Sequence, residues 1–256
     1  MALMASKGLI GPMPDVALFA DTQCEPSSVY AWLDYLEPLL SFPVHRVTAG
    51  NLADSISGHT SKSGTRYVRI PIPAHITNKD GSHGILGRQC TDRFKLRPLA
   101  RGAKKLFGVR RAKRELRVRF WIGISTDEAH RMKPSREVFA ENRWPLIELG
   151  MSRVDCLKWM SKNGYPEPPK SACTFCPFHS DAEWRKLKAG PKEEWDNVIS
   201  IEKTIQRLCR DVKAVRGEPF LHYSRKPIDE IEFTASPKTH NEIDLFGNEC
   251  EGMCGV

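Results

Sequence analysis

Apolar residues along this chain come in short runs that change period. Residues 15–22, DVALFADT, form one continuous apolar run closed by Asp21 and Thr22. A run of this length ended by polar residues predicts a buried strand of a parallel sheet. Residues 25–40 switch to helical spacing. Tyr30, Leu33, Leu36 and Leu39 share one face, and Ser27 or Ser28 stands where an N-cap belongs. FPVHRVTAG (42–50) predicts the next strand and NLADSISG (51–58) a short helix.

Further along, residues 65–76 alternate as a strand or hairpin arm. Residues 91–108 predict a helix to Leu96, interrupted at Pro98. LRVRFWIGIS (116–125) predicts a strand ending in small polar residues, ahead of TDEAHRM. Ser152 and Gly164 bracket a predicted helix over 152–165. Residues 181–190 and 191–215 predict two more helices, the second with Pro191 in its first turn. Residues 217–231 predict a strand and turn. The alternation of strand and helix predicts an α/β fold with a doubly wound, mostly parallel sheet. The expected organisation is one α/β domain over 1–235, helical from about 180, and a flexible Cys-containing tail over 236–256. Ligands of such sheets bind at the C-terminal strand ends, which makes Asp21 and Thr22 candidate nucleotide contacts. Ser125 and Arg131 hold the same position after the strand at 116–125, with Arg131 suited to an anion.

Composition narrows the class. The chain is 40% hydrophobic and 27% charged, and no run of eighteen apolar residues occurs, so a core is expected and a membrane span is not. The N-terminal residues lack a basic n-region and a long apolar stretch, which argues against a signal peptide. The net charge of +8 is concentrated: residues 101–120 hold nine Lys or Arg and one Glu. Such a run is either a solvated helical face or a contact for a phosphate-rich partner, and residues 101–119 become a candidate nucleic-acid surface.

The eight cysteines are Cys24, Cys90, Cys156, Cys173, Cys176, Cys209, Cys250 and Cys254. Without a signal peptide they point to a reducing, cytoplasmic compartment, where clustered cysteines bind metal or do chemistry. SACTFCPFHS (171–180) puts Cys173 and Cys176 in a tight turn able to offer two sulfurs to one ion. Cys90 follows a glycine-containing turn at the start of a basic segment. Three thiolates suit an iron–sulfur cluster with one open iron, or a zinc completed by His179. Spacing does not choose between them, and the alternative is a set of packed core cysteines. Cys250 and Cys254, between glycines near the end of the sequence, are candidate nucleophiles or an incidental tail pair.

Taken in order, these segments resemble a known family. CTDRFKLRPL (90–99) is similar to the CCxxRKVxPL segment of phosphoadenylyl- and adenylyl-sulfate reductases, and IGISTDEAHRM (122–132) to their TGxRxxES strand end. WPLIELGMSRVDCLKWMSKNGYPEPPKSACTFCPF (144–178) resembles the stretch that ends in their SIGCxxCT motif. The match covers most of residues 15–180 and identifies a PAPS reductase-like member of the adenine nucleotide α-hydrolase, or PP-loop, superfamily. The resemblance implies a Rossmann-like fold that binds ATP or PAPS at its strand ends, with Arg93 and Lys95 offsetting phosphate or sulfate charge. It implies a 4Fe–4S cluster on Cys90, Cys173 and Cys176, with zinc as the alternative. Gln89 stands where the family has its fourth cysteine. Related tRNA-thiolating enzymes hold such a cluster on three cysteines. The tail ECEGMC is a faint echo of the reductases' catalytic ECGLH.

One family feature is missing. The first strand and its S-x-G-x-D-S phosphate loop have no counterpart, and MALMASKGLIG resembles the helix that follows that loop. The expected function is therefore twofold. One branch is reduction of an adenylylated sulfate with a thiol reductant. The other is ATP-dependent thiolation of a nucleic acid with a sulfur donor. A different class is a non-catalytic binding module stapled by zinc on Cys90, Cys173, Cys176 and His179.

Overall fold

The computed structural model describes residues 1–78, 80–109, 117–210, 212 and 217–233. Seven α-helices are described: α1 (Ala2–Ser6), α2 (Ser27–Leu36), α3 (Arg97–Leu106), α4 (Pro145–Glu148), α5 (Arg153–Lys162), α6 (Asp181–Lys188) and α7 (Lys192–Arg210). Eight strands accompany them: β1 (Ala17–Asp21), β2 (Val44–Thr48), β3 (Ser57–Thr60), β4 (Arg66–Arg69), β5 (His75–Thr77), β6 (His83–Ile85), β7 (Val118–Trp121) and β8 (Ala140–Arg143). The fold is mixed α/β. Among the described residues the strands pair two by two. β1 with β2 and β7 with β8 are parallel; β3 with β4 and β5 with β6 are antiparallel hairpin pairs.

The predicted strand 15–22 forms as β1, with Ala17 opposite Val44 and Asp21 opposite Thr48 on β2. The intervening helix α2 forms but is not capped by serine. Its N-cap is Pro26, and the Ser27 amide donates to Glu194 Oε1 at 2.8 Å instead. The predicted strand 65–76 is split into β4 and β5, because Pro71 and Pro73 between them offer no amide to a ladder. Only part of the predicted helix 51–58 forms, as a 3₁₀ turn at Ala53–Ser55, and Ser57 already starts β3.

Pro98 does not interrupt the helix where expected. Residues Thr91–Leu96 wind as a π-helix that runs into α3, and Pro98 sits in the first turn of α3. The wider turn upstream accommodates the amide that proline lacks. The expected strand over 217–231 reduces to a single bridge between Phe220 and His75 and a 3₁₀ turn at Ile228–Glu230. The α5 expectation is met in detail. The Ser152 side chain accepts from the Asp155 amide, and Asp155 accepts from the Ser152 amide, a closed capping box. Ser180 and Glu183 build the same box on α6.

The largest core lies under the loop carrying Cys173 and Cys176. Phe175, Trp184, Val198, Ile205 and Ile228 are essentially without solvent contact there. α6 and α7 supply Trp184, Leu187, Trp195, Val198, Ile201, Ile205 and Cys209 to it, so these two helices are part of the platform on which that loop rests. A second core joins Met4, Ala5 and Ile10 to Phe42 and Leu146.

α3 packs closely over β1 and β2 because it carries a glycine at the contact. A Cβ at Gly102 would stand 2.8 Å from Val47 Cγ1. Val47 is β-branched and stiff, so it does not yield easily. Gly102→Ala is expected to lower stability by about 1 kcal/mol, although alanine is the better helix former by about that amount. In a Val47→Ala background the same substitution should raise stability. Urea midpoints of the four chains test this.

Candidate functional site

Three distant segments meet at the C-terminal end of β1. Asp21, the last residue of the strand, accepts from the Tyr30 hydroxyl at 2.8 Å and from the Gln23 amide at 2.8 Å. Burial, then the hydrogen bond to Asp21, holds the Tyr30 phenol above its ordinary range. Gln23 has φ of 57°, the left-handed turn that swings the chain away from the sheet. That turn drops Thr22 and Glu25 inward.

Thr22 is fully buried. Its Oγ1 donates to Glu25 Oε1 at 3.2 Å and lies 3.3 Å from Cys173 Sγ. The Cys173 thiol is also 3.8 Å from Glu25 Oε1. Lys95, on the π-helix, closes the group with Nζ 3.6 Å from the same oxygen. The side chains of Glu25 and Lys95 are only 1% and 8% exposed. Glu25 Oε2, equally buried, has no hydrogen-bond partner. The group is a buried ion pair with a thiol and a hydroxyl on one carboxylate oxygen.

This environment sets the chemistry of Cys173. Burial and then the Glu25 carboxylate hold its pKa well above the ordinary thiol value, against the smaller opposing pull of Lys95 and Thr22. The sulfur is therefore a protonated thiol at neutral pH. Such a thiol is a poor free nucleophile; it becomes a thiolate only when a metal or another electrophile displaces the proton.

The loop is held by its backbone. The Thr174 amide donates to the Cys24 carbonyl at 2.8 Å, tying the loop to the turn after β1. The Cys176 amide returns to the Cys173 carbonyl at 2.9 Å, which makes the tight turn expected of C-x-x-C. The Cys173 carbonyl also receives His179 Nε2 at 2.9 Å. His179 Nδ1 faces Glu183 at 3.6 Å, and the ring packs edge-on against Trp184. Nε2 of His179 is thus taken by the loop backbone, and Nδ1 is buried without a hydrogen-bond partner. His179 positions the loop.

Cys90 begins the π-helix, with its amide donating to the Pro71 carbonyl at 2.8 Å, and it packs against the core that contains Cys173. Cys90 and Cys173 therefore border one core, with Cys176 in the same turn as Cys173. Among the described residues, however, no three His, Cys, Asp or Glu side chains gather into a group able to hold a metal ion. As folded, the described residues present no ready three-donor cage, and a cluster or zinc on these sulfurs requires the loop to rearrange.

The remaining expected residues are elsewhere. Ser125 is buried and donates to Asp127 Oδ2 at 3.3 Å, an oxygen that also receives the Arg153 amide at the start of α5. Arg131 pairs with Glu128. Arg93 is exposed on the π-helix, turned away from the buried Lys95. Cys250 and Cys254 lie outside the described residues. Residues 101–109 and 117–119 of the basic segment are described, and Lys104 there pairs with Glu137 at 2.7 Å over the Phe139 ring; residues 110–116 lie outside. No helix among the described residues is long and apolar enough to cross a membrane.

Two participants were not anticipated from the sequence. Glu25 is one. Arg88 is the other: its guanidinium lies over the Phe178 ring at 5.4 Å and its Nε donates to Thr91 Oγ1 at 3.0 Å, with a buried Nη2 lacking a partner. Nothing in the spacing marks either. Glu25 precedes a proline at a helix start, where a solvated acid is ordinary. Compared with protein-family models, with curated proteins and with solved structures, the chain matches none.

Removing one partner of a buried ion pair strands the other. Lys95→Met is expected to cost about 3–5 kcal/mol, and adding Glu25→Gln should recover most of that loss. Chemical denaturation of the single and double variants measures both.

His75 reports on the loop through pH. Its Nε2 is 3.3 Å from the Pro177 carbonyl, and its Nδ1 2.8 Å from His83 Nε2. Burial lowers its pKa from 6.5 to about 4, opposed by the Pro177 carbonyl and aided by the neighbouring His83, His222 and Arg225. The unfolded chain thus takes up this proton first. The stability due to neutral His75 is full above pH 6.5 and is lost as pH falls toward about 4. In His75→Gln, the urea midpoint should vary less with pH across that window than in the parent chain.

Proposed function

We propose that the chain is an enzyme of the PAPS reductase-like class. In this reading the parallel strands belong to a Rossmann-like sheet that takes an adenine nucleotide, ATP or PAPS, at the end of β1. The sulfur chemistry belongs to the Cys173–Cys176 loop, with Cys90 beside it. One observation carries the proposal. Thr22, Lys95 and Cys173 belong to three parts of the region that resembles the family, and they converge in space around Glu25. A buried charged group joining a strand end to a thiol loop is the kind of site enzymes tune, although ion pairs also serve structure.

The group that the resemblance implies, a 4Fe–4S cluster or zinc, would take its sulfurs from Cys90, Cys173 and Cys176. When bound it would supply electron transfer or hold sulfur. The chain's own residues do the rest. Glu25 and Thr22 hold the Cys173 proton, Lys95 offsets the carboxylate, and His179 fixes the turn. A thiol reductant or a sulfur donor is the required co-reactant, and the basic face of α3 is where a nucleic-acid substrate would lie. The zinc-stapled binding module has weaker support, because His179 Nε2 is taken by the Cys173 carbonyl and Nδ1, buried without a hydrogen-bond partner, lies 3.6 Å from Glu183.

Titration calorimetry with PAPS and with ATP tests the nucleotide half. One of them should bind with one-to-one stoichiometry and slow alkylation of Cys173; if neither binds nor protects, the reading is wrong. Iron, acid-labile sulfide and zinc determined on anaerobically purified protein test the other half. Metal should be present in the parent chain and lost in Cys173→Ser. Equal metal content in the two would exclude Cys173 as a ligand.

A further inference from the structure

A run of hydrogen bonds outside the Glu25 group joins a serine, a histidine and an aspartate. His222 Nδ1 lies 2.8 Å from Ser224 Oγ, and His222 Nε2 lies 3.0 Å from Asp181 Oδ1. Asp181 opens α6, while His222 and Ser224 sit in the turn after the Phe220 bridge, 41 positions on from Asp181 to His222. The His222 side chain is only 3% exposed. The Tyr223 ring lies 4.1 Å from it, and the Phe233 ring packs edge-on at 5.7 Å. Packing on two sides fixes the plane of the imidazole and hence the direction of both nitrogens.

The proton positions follow from one backbone contact. The Ser224 amide donates to His222 Nδ1 at 3.2 Å. An amide nitrogen only donates, so Nδ1 presents its lone pair and Nε2 carries the ring proton, given to Asp181. Facing a bare Nδ1, the Ser224 hydroxyl is a donor, and its bond is the shorter of the two on that nitrogen. Hydroxyl on base and base on carboxylate is the order that makes a serine nucleophilic. The two ring nitrogens exchange places relative to the usual serine hydrolase, and the proton path is the same. The group is also reachable. Ser224 is half-buried, the Asp181 side chain is 40% exposed and Tyr223 is exposed. Arg225 follows directly, with φ of 57°, a left-handed turn uncommon for a residue with a side chain. Its Nη1 is buried without a hydrogen-bond partner, a donor left for an arriving oxygen.

We propose that Ser224 is the nucleophile of a separate centre that hydrolyses carboxylic esters, with His222 as its base and Asp181 positioning His222. Ser224 Oγ attacks the ester carbon while its proton passes to His222 Nδ1. The bond from that carbon to the leaving oxygen breaks, and the alcohol departs with the proton from Nδ1. Water then attacks the acyl-serine, giving one proton to Nδ1. The bond to Ser224 Oγ breaks, the acid leaves, and Nδ1 returns its proton to the serine. Arg225 Nη1 is the donor offered to the carbonyl oxygen as it gains charge. The reaction consumes ester and water, and nothing is oxidised or reduced. The inference stands on hydrogen-bond geometry alone and goes beyond the nucleotide and sulfur chemistry proposed above.

The test treats the full chain with an alkyl fluorophosphonate and maps the label by peptide mass spectrometry. Attack by Ser224 forms the oxygen–phosphorus bond and expels fluoride, so the adduct belongs on Ser224 and disappears in Ser224→Ala. His222→Gln should slow labelling by about a hundredfold or more. Asp181→Asn should slow it about tenfold, and Asp181→Glu should restore most of the rate, which a purely structural role for Asp181 does not require. Hydrolysis of p-nitrophenyl acetate is followed in parallel. Ser224→Ala keeps all eight cysteines, so acylation of thiols persists in it and the difference from the parent chain reports the serine. Urea midpoints establish that each variant is folded; if His222→Gln is not, Ser224→Ala and the two Asp181 variants decide. The proposal is overturned if the parent chain carries no label on Ser224, if folded His222→Gln is labelled as fast as the parent, or if ester turnover is equal in parent and Ser224→Ala. None of these readouts involves a nucleotide or a metal, so failure here leaves the proposed function standing.

Discussion

The carboxylate of Glu25 is the constraint on which the site depends. A buried charge survives only when nearby groups compensate it, and here the compensation comes from three parts of the chain. Thr22 belongs to the end of β1, Lys95 to the π-helix and Cys173 to the loop over the α6–α7 core. None of the three contacts is local to Glu25 except the one with Thr22. The carboxylate therefore fixes the relative placement of a strand end, a helix and a loop, which hydrophobic packing alone leaves adjustable. Its second oxygen has no partner, so the group is not fully satisfied. Incomplete satisfaction of a buried polar group is a cost that a structure built only for stability tends to avoid.

The same carboxylate decides what the thiol can do. Cys173 is often read, in a C-x-x-C loop, as half of a redox dithiol with an acidified sulfur. Next to Glu25 and out of solvent, it is the opposite: a thiol held in its protonated form. Lys95 stands close enough to offset part of the charge, yet burial and the carboxylate outweigh it. The arrangement favours proton release coupled to arrival of a ligand over spontaneous thiolate chemistry. His179 contributes by geometry. By donating to the carbonyl that also receives the Cys176 amide, it holds the turn that carries both cysteines.

Much of the secondary structure was legible, because period and capping are local. β1, β2 and α5 appear where apolar runs and Ser152 placed them. The errors fall where a proline or a tertiary contact wins. Pro71 and Pro73 divide the expected strand at 65–76, and Pro98 is absorbed by a π-turn that no periodicity reveals. The site was half legible. Thr22 and Cys173 were named from strand-end position and cysteine spacing, Lys95 from the family resemblance, and the three meet around Glu25. Lys95 was expected to offset a ligand's phosphate or sulfate; it pairs with Glu25, a residue whose role depends on burial 70 positions away in sequence. Ser125 and Arg131, named from strand-end position, bond to Asp127 and Glu128, and Arg93, named from the resemblance, faces solvent. Position at a strand end narrows the candidates without saying which side chains turn inward.

β1 links the site to a cavity beside β7. Its C-terminal end supplies Thr22 and its edge borders the cavity toward β7. Movement of that edge is thus movement of the Thr22 hydroxyl relative to Cys173, because five residues of extended backbone offer little slack between the two. A strand with one bonded edge is held less firmly than one with two. The buried Glu25 group and the pairing of β1 with β2 are consequently coupled: what holds the strand also holds one of the three supports of the carboxylate. The geometry of the thiol loop then depends on sheet pairing far from the loop itself, by way of a single hydroxyl.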